Sequence, residues 1–179
     1  MGIYPYFVTL QVADNKKDST MLKTHYAPVP ESYCDYNGHL NEGYYLVMLS
    51  LATDTVLDAA GLDAESRNAL NFSAFTVQNN LRYFKEIYKG KRLTAYSRVL
   101  SSDKKRLRIW HELRNEEGTE TYAAVECLLV GVDMASRKSA VWPAKVETII
   151  RELQASHEQY TWPMGAGNAI TQPAQGASV

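Results

Sequence analysis

The sequence predicts an α+β domain in which one antiparallel sheet wraps around a single buried helix, and three patterns carry that expectation. From Asn41 to Ala60 apolar residues cover most of a helical surface, and Ser50, Asp54 and Asp58 leave only a narrow wet stripe. Further along, the hydrophobic period changes from about 3.6 residues to 2, the signature of strands with two distinct faces. Short turns rich in Gly, Asn and Lys separate these later runs, which suits strands joined as neighbours.

The N-terminal residues 1–20 read as an extension, with an apolar stretch, Ile3 to Val12, followed by a charged linker from Ala13 to Thr20. Pro5 interrupts the apolar stretch, and it lacks a basic leader and a small-residue cleavage site, so it does not read as a signal peptide. The domain is expected over 21–155. It opens with an extended segment, His25 to Pro30, whose two prolines suit an edge. The buried helix follows and ends at Gly61, which takes a left-handed conformation at little cost. A polar loop containing Arg67 and Asn68 leads to the strands.

In the first of these, Ala74 to Phe84, the residues Phe75, Val77, Leu81 and Tyr83 are expected to share one face and Thr76, Gln78, Asn80 and Arg82 the other. Leu93 to Leu100 follows the turn Lys89-Gly90-Lys91. Arg106 to Arg114 alternates most cleanly, with Leu107, Ile109, His111 and Leu113 opposing its charged residues and Trp110. His111 therefore reads as a satisfied core residue. Asn115 to Gly118 turns the chain into Thr119 to Val132, a strand apolar on both faces. A terminal helix over Pro143 to Leu153 has proline in its first turn, and 156–179 is expected to be a flexible tail, rich in Gly, Ala, Pro and Gln after Trp162.

Composition narrows the function classes. With 179 residues, 45% of them hydrophobic, the chain can bury the core of one domain. A formal charge of −1 excludes the broad positive field of a nonspecific nucleic-acid binder while leaving room for a small anionic ligand at a local patch. Cys34 and Cys127 lack the spacing of a disulfide scaffold or a zinc site, which fits a reducing cytoplasm. No stretch is long enough to span a membrane, and no Gly-rich phosphate-binding turn or internal repeat is present.

The chemistry concentrates in Asp35-Tyr36-Asn37-Gly38-His39-Leu40-Asn41-Glu42, followed by Tyr44 and Tyr45. An acid, amides, a glycine and an imidazole stand immediately before a helix, whose start offers unpaired N–H groups and a positive dipole end for a developing oxyanion. Asp35 can act as general base or as nucleophile, or it can simply form the turn. Asn37 and His39 can donate to a carbonyl or orient Asp35, and Gly38 permits close backbone approach. N–H groups around Asn41 and Glu42 would meet the oxyanion, with Asn41 also suited to cap the helix. Glu42 suits the dipole, or it faces a cationic group. Cys34 points to the face opposite Asp35 if the segment is extended. There is no Gly-x-Ser-x-Gly elbow, and His25, His39, His111 and His157 are too scattered for a metal site.

These residues, in this element order, make the chain similar to the hotdog-fold acyl-CoA thioesterases of the 4-hydroxybenzoyl-CoA thioesterase type, over roughly Met21 to Val132. A narrower resemblance, to the betainyl-CoA thioesterases associated with L-carnitine dehydrogenase, rests on Val29-Pro30-Glu31, the Asp35 to Glu42 motif, Ser50 to Asp54, Gly61-Leu62-Asp63 and Arg82-Tyr83. Many hotdog members carry a second Asn where this chain has Glu42. The resemblance implies a hotdog fold, a homodimer or tetramer with sites shared between subunits, and hydrolysis of an acyl-CoA without metal or organic cofactor. The charge balance and the lack of a spanning stretch, in turn, lead to the expectation of no nucleic-acid or membrane partner. Betainyl-CoA leads as substrate, with short or medium acyl-CoA as the alternative and a noncatalytic acyl-thioester-binding module as the competing reading. A dehydratase would need a histidine and acid arrangement that the sequence lacks. A quaternary ammonium would be held by aromatic faces and an acid, for which Tyr33, Tyr36, Tyr44, Tyr45 and Trp110 are candidates, Tyr45 foremost. The phosphates of CoA would meet Arg82 and Lys85 in one basic cluster or Arg106 in another, both of which also read as solvated hairpin ends.

Overall fold

The computed structural model describes residues 21–168, so the expectations for 1–20 and 169–179 lie outside the described residues. Strand β1 spans Leu22–His25, and a single 3-10 turn at Glu31–Tyr33 leads into helix α1, Glu42–Ala59. Helix α2 follows at Ala64–Leu70, and then the strands β2, Phe72–Tyr83, β3, Leu93–Ser102, β4, Arg106–Asn115, and β5, Thr121–Asp133. A two-residue β6, Lys138–Ser139, precedes helix α3, Ala144–His157. The sheet is antiparallel throughout, in the order β1-β3-β4-β5-β2, with β6 beside β5.

One face of this sheet packs on α1. Leu107, Ile109 and Leu113 of β4 and Val125, Cys127 and Leu129 of β5 meet Leu49, Ala52 and Val56 of the helix. Each of the larger side chains contributes about 1.5–3 kcal/mol on burial. His111 lies on this inner face, fully buried, with Nε2 3.1 Å from Thr53 Oγ1 and Nδ1 2.7 Å from Ser97 Oγ. Both ring nitrogens are satisfied, and burial pushes the imidazole down to about 3, so it is neutral at physiological pH.

Several expectations are corrected. The polar loop after Gly61 contains α2, which is too short to show a periodic apolar stripe but has clear ends. Asp63 Oδ1 accepts from Ser66 N at 2.7 Å, and Asn71 closes the helix in a left-handed conformation, φ 48°. Its Arg67 reaches Asp58 and Asp54, covering the polar stripe of α1. The extended segment begins earlier than His25, because β1 pairs with β3 from Leu22 to His25, and beyond it Tyr26 N and Val29 N still donate to Leu93 O and Lys91 O, at 3.1 and 3.0 Å. Pro143 is the N-cap of α3 and stands one residue before its first turn.

The expected faces of β2 also need revision. Its register against β5 shifts between Thr76 and Gln78, leaving Val77 as a bulge. Opposed residues share a face, so Leu81 and Tyr83, across from Val125 and Ala123, point inward, whereas Phe75, across from Val130, points outward. Residues 156–168, assigned to the tail by the sequence, continue the fold. Helix α3 runs on to His157, whose Nδ1 accepts from Val99 N at 3.0 Å. The following segment crosses the outer face, where Thr161 O accepts from Arg98 at 2.9 Å, Gly167 N donates to Glu126 at 2.7 Å and Asn168 O accepts from Asn80 at 2.9 Å. Among the described residues no single helix is long and apolar enough to cross a membrane.

Candidate active site

The motif forms a tight turn between the 3-10 turn and α1. Asp35 N donates to His39 O at 2.8 Å, and Gly38 N donates to Asp35 O at 3.0 Å. Asp35 Oδ1 accepts from Asn37 N at 2.8 Å and from His39 N at 3.2 Å, so one carboxyl oxygen organises the turn. Among the described residues the other oxygen, Oδ2, has no hydrogen-bond partner. The turn-forming reading of Asp35 therefore holds for one oxygen and leaves the second available. Gly38 sits at φ 78° with nothing within 4 Å of where a Cβ would stand, so the turn's torsion calls for glycine there and crowding does not.

Backbone pairing clamps both sides of the turn. Leu40 N donates to Ile87 O at 2.7 Å, Asn41 N donates to Tyr33 O at 2.9 Å, and His39 pairs with Tyr88 in an isolated bridge. Leu40 and Ile87 are both buried and anchor the loop in the core. Asn41 is the N-cap of α1, its Oδ1 accepting from Gly43 N at 3.0 Å. Of the N–H groups expected to meet an oxyanion, that of Asn41 is thus committed, and that of Glu42 has no partner among the described residues.

Three residues join this end of the molecule that the sequence reading did not place there as site residues: Tyr83, Glu86 and Tyr88. His39 Nε2 lies 3.5 Å from Glu86 Oε2, and the His39 ring meets Tyr88 edge-on at 4.6 Å. Tyr45 is buried, donates its hydroxyl to Lys85 O at 3.2 Å and meets the Tyr83 ring edge-on at 5.2 Å. Tyr83 in turn donates to Glu42 O at 3.2 Å. Burial raises the pKa of the Tyr45 hydroxyl, and the negative charges of Glu86 and Asp35 push it the same way. The signal for these residues was the run Tyr83 to Tyr88, aromatic and acidic just past a strand end.

Asp35, Asn37, Gly38, His39, Asn41, Glu42 and Tyr45 are therefore gathered at the N-terminal end of α1. The expected CoA-binding cations are each drawn to a partner of their own. Lys85 turns to Glu120 at 2.7 Å. Arg82 is on the outer face, with its guanidinium 5.9 Å from the Trp110 ring and a bond to Asn168 O at 3.2 Å. Arg106 pairs with Asp103 at 2.6 Å and lies opposite Val130, seven residues along β5 from Ala123 and so about 23 Å from the motif end at ~3.3 Å per residue. Of the candidate aromatics, Tyr33 and Tyr44 stack on each other at 3.9 Å, Tyr36 is 97% exposed, and Trp110 is buried on the outer face.

Comparison with known proteins adds a family to this geometry. A betainyl-CoA thioesterase of Pseudomonas aeruginosa is 33% identical over 155 residues, covering 87% of this chain and 98% of that protein. The fused L-carnitine dehydrogenase/betainyl-CoA thioesterase of Agrobacterium fabrum is 40% identical over 149 residues, covering 83% of this chain and 30% of the fusion. A Staphylococcus aureus protein solved in complex with CoA superimposes with a TM-score of 0.79 at 24% identity, over 86% of this chain and 96% of that one, and shows the same fold. The curled antiparallel sheet around α1 is the hotdog fold expected from the motif. The model of the thioesterase-like superfamily matches residues 29–150, and the chain belongs to that superfamily.

Proposed function

We propose that this thioesterase hydrolyses betainyl-CoA to betaine and CoA, with Asp35 as the catalytic carboxylate, acting as general base or nucleophile. The observation that carries the assignment is the split role of the Asp35 carboxyl. Two N–H groups fix Oδ1, which leaves Oδ2 to act beside His39 and the start of α1. The relatives named for betainyl-CoA support the acyl group.

As general base, Asp35 takes a proton from water while the water oxygen bonds to the thioester carbonyl carbon. The carbonyl electrons move onto oxygen, and the Glu42 N–H at the positive end of the helix dipole stabilises that charge. Collapse of the intermediate breaks the carbon–sulfur bond, and CoA departs as a thiolate. As nucleophile, Asp35 would bond to that carbon itself and release the same thiolate, and water would then cleave the anhydride. Water attacking the Asp35 carbonyl of that anhydride would leave labelled oxygen in Asp35 after a single turnover, an outcome that the general-base route does not give.

Asp35→Asn is expected to lower kcat for thiol release by about 10²–10⁴-fold, the usual worth of a positioned acid or base. Unchanged turnover would remove Asp35 from the chemistry. The working form is a homo-oligomer in the cytoplasm. The outer edge of β2 has no strand partner among the described residues and exposes Phe75 and Val77, an edge suited to pairing with a second copy. Light scattering of the full chain at twice its mass or more is expected; a monomer would refute the shared site.

A further inference from the structure

The connection after β2 is built more firmly than a surface loop. Phe84 N and Lys85 N both donate to Tyr122 O, at 2.8 and 3.1 Å, and Ile87 inserts into the core with 1% exposure. With Ile87 inward and its carbonyl held by Leu40, the flanking Glu86 and Tyr88 turn to the opposite side, where His39 stands. Glu86 Oε2 is 3.5 Å from both His39 Nε2 and the Tyr88 hydroxyl. Tyr83 and Tyr88 remain 50% and 58% exposed as residues, which leaves both open to a ligand.

Charge at this end is one-sided. Asp35, Glu42 and Glu86 bring three carboxyl groups, while the neighbouring cations Lys85 and Lys89 are spent on Glu120 and Glu31. Attack on a thioester builds negative charge on oxygen, which this surplus opposes, and only Asp35 is used in the hydrolysis proposed above. A substrate carrying its own positive charge beside the carbonyl removes the conflict. A trimethylammonium group has no N–H to donate, so it is held by carboxylate charge and aromatic faces together.

Resting on the thioesterase reading above, we infer that Glu86, with the ring faces of Tyr83 and Tyr88, forms the subsite that selects a quaternary ammonium acyl group. The acyl nitrogen lies one methylene from the carbonyl in betainyl-CoA, which matches a subsite adjoining His39. Specificity is thereby written in the loop after β2, outside the Asp35 motif.

The test compares betainyl-CoA with 3,3-dimethylbutanoyl-CoA, the same shape with carbon in place of charged nitrogen. The full chain is expected to favour the cation at least ~10-fold in kcat/KM, and Glu86→Gln and Tyr88→Leu each to cut that ratio about 5- to 10-fold, in line with a cation–aromatic contact. Tyr88→Phe keeps the ring and should keep the ratio. If Glu86→Gln lowers both substrates equally, the carboxylate acts only through His39 and the subsite is refuted. A wild-type chain without preference refutes it as well, and leaves thioester hydrolysis standing. If neither thioester is cleaved, the thioesterase reading fails by itself. Calorimetry with the two uncleavable thioether analogues then decides the subsite: tighter binding of the charged analogue, lost in Glu86→Gln, sustains it, and equal binding overturns it.

Discussion

Two histidines divide the molecule into a closed and an open region. His111 lies beneath the middle of α1, has no exposed surface, and has a hydroxyl group on each ring nitrogen. His39, at the start of the same helix, keeps 24% of its side chain exposed and faces Glu86 and Tyr88. The imidazole is the same, and its surroundings decide its use. Inside, two hydroxyls satisfy a neutral ring and fix one helix–strand arrangement. At the helix start, partial exposure and an acid leave a ring that can meet a substrate.

The comparison breaks first on pH. Folded His111 stays neutral down to about 3, while in the unfolded chain the imidazole takes up its proton near its ordinary value of 6.5. The unfolded state therefore binds more protons between these values, and the contribution to stability is complete above 6.5 and lost as pH falls. Between pH 7 and pH 5 this group alone should cost about 2 kcal/mol in denaturant unfolding. His111→Gln, which can bond both hydroxyls without titrating, should remove that part of the slope. An unchanged slope would mean that His111 takes up its proton over the same pH range in the folded and the unfolded chain.

A smaller effect sharpens the open side. Asn41→Ala removes the cap from Gly43 N and should cost ~1 kcal/mol of stability by thermal unfolding, with a larger proportional loss of turnover because the same residue borders the Glu42 N–H. Unchanged turnover per folded molecule would reduce Asn41 to a cap alone.

What could be read in the sequence follows how local each pattern is. Helix α1 and strand β4 were legible because their apolar periods run unbroken over many residues, and Gly61 marked its turn by composition. The Asp35 to Glu42 motif was legible because its parts are contiguous. Helix α2 was not, since seven residues give too few turns to show a face. Glu86 was not, because its meeting with His39 depends on Ile87 and Leu40 pairing two segments far apart in the chain. Arg82, Lys85 and Arg106 illustrate the converse. Their sequence neighbourhood is basic, yet each is placed by a separate strand or turn and drawn toward its own partner.

The bulge in β2 has a consequence for any attempt to rebuild this sheet. Val77 is surplus to the ladder, so a strand of 12 residues obeys one inside–outside rule before it and the reverse rule after it. Segments transplanted across that point would come out inverted, oily side to water, unless the surplus residue travels with them.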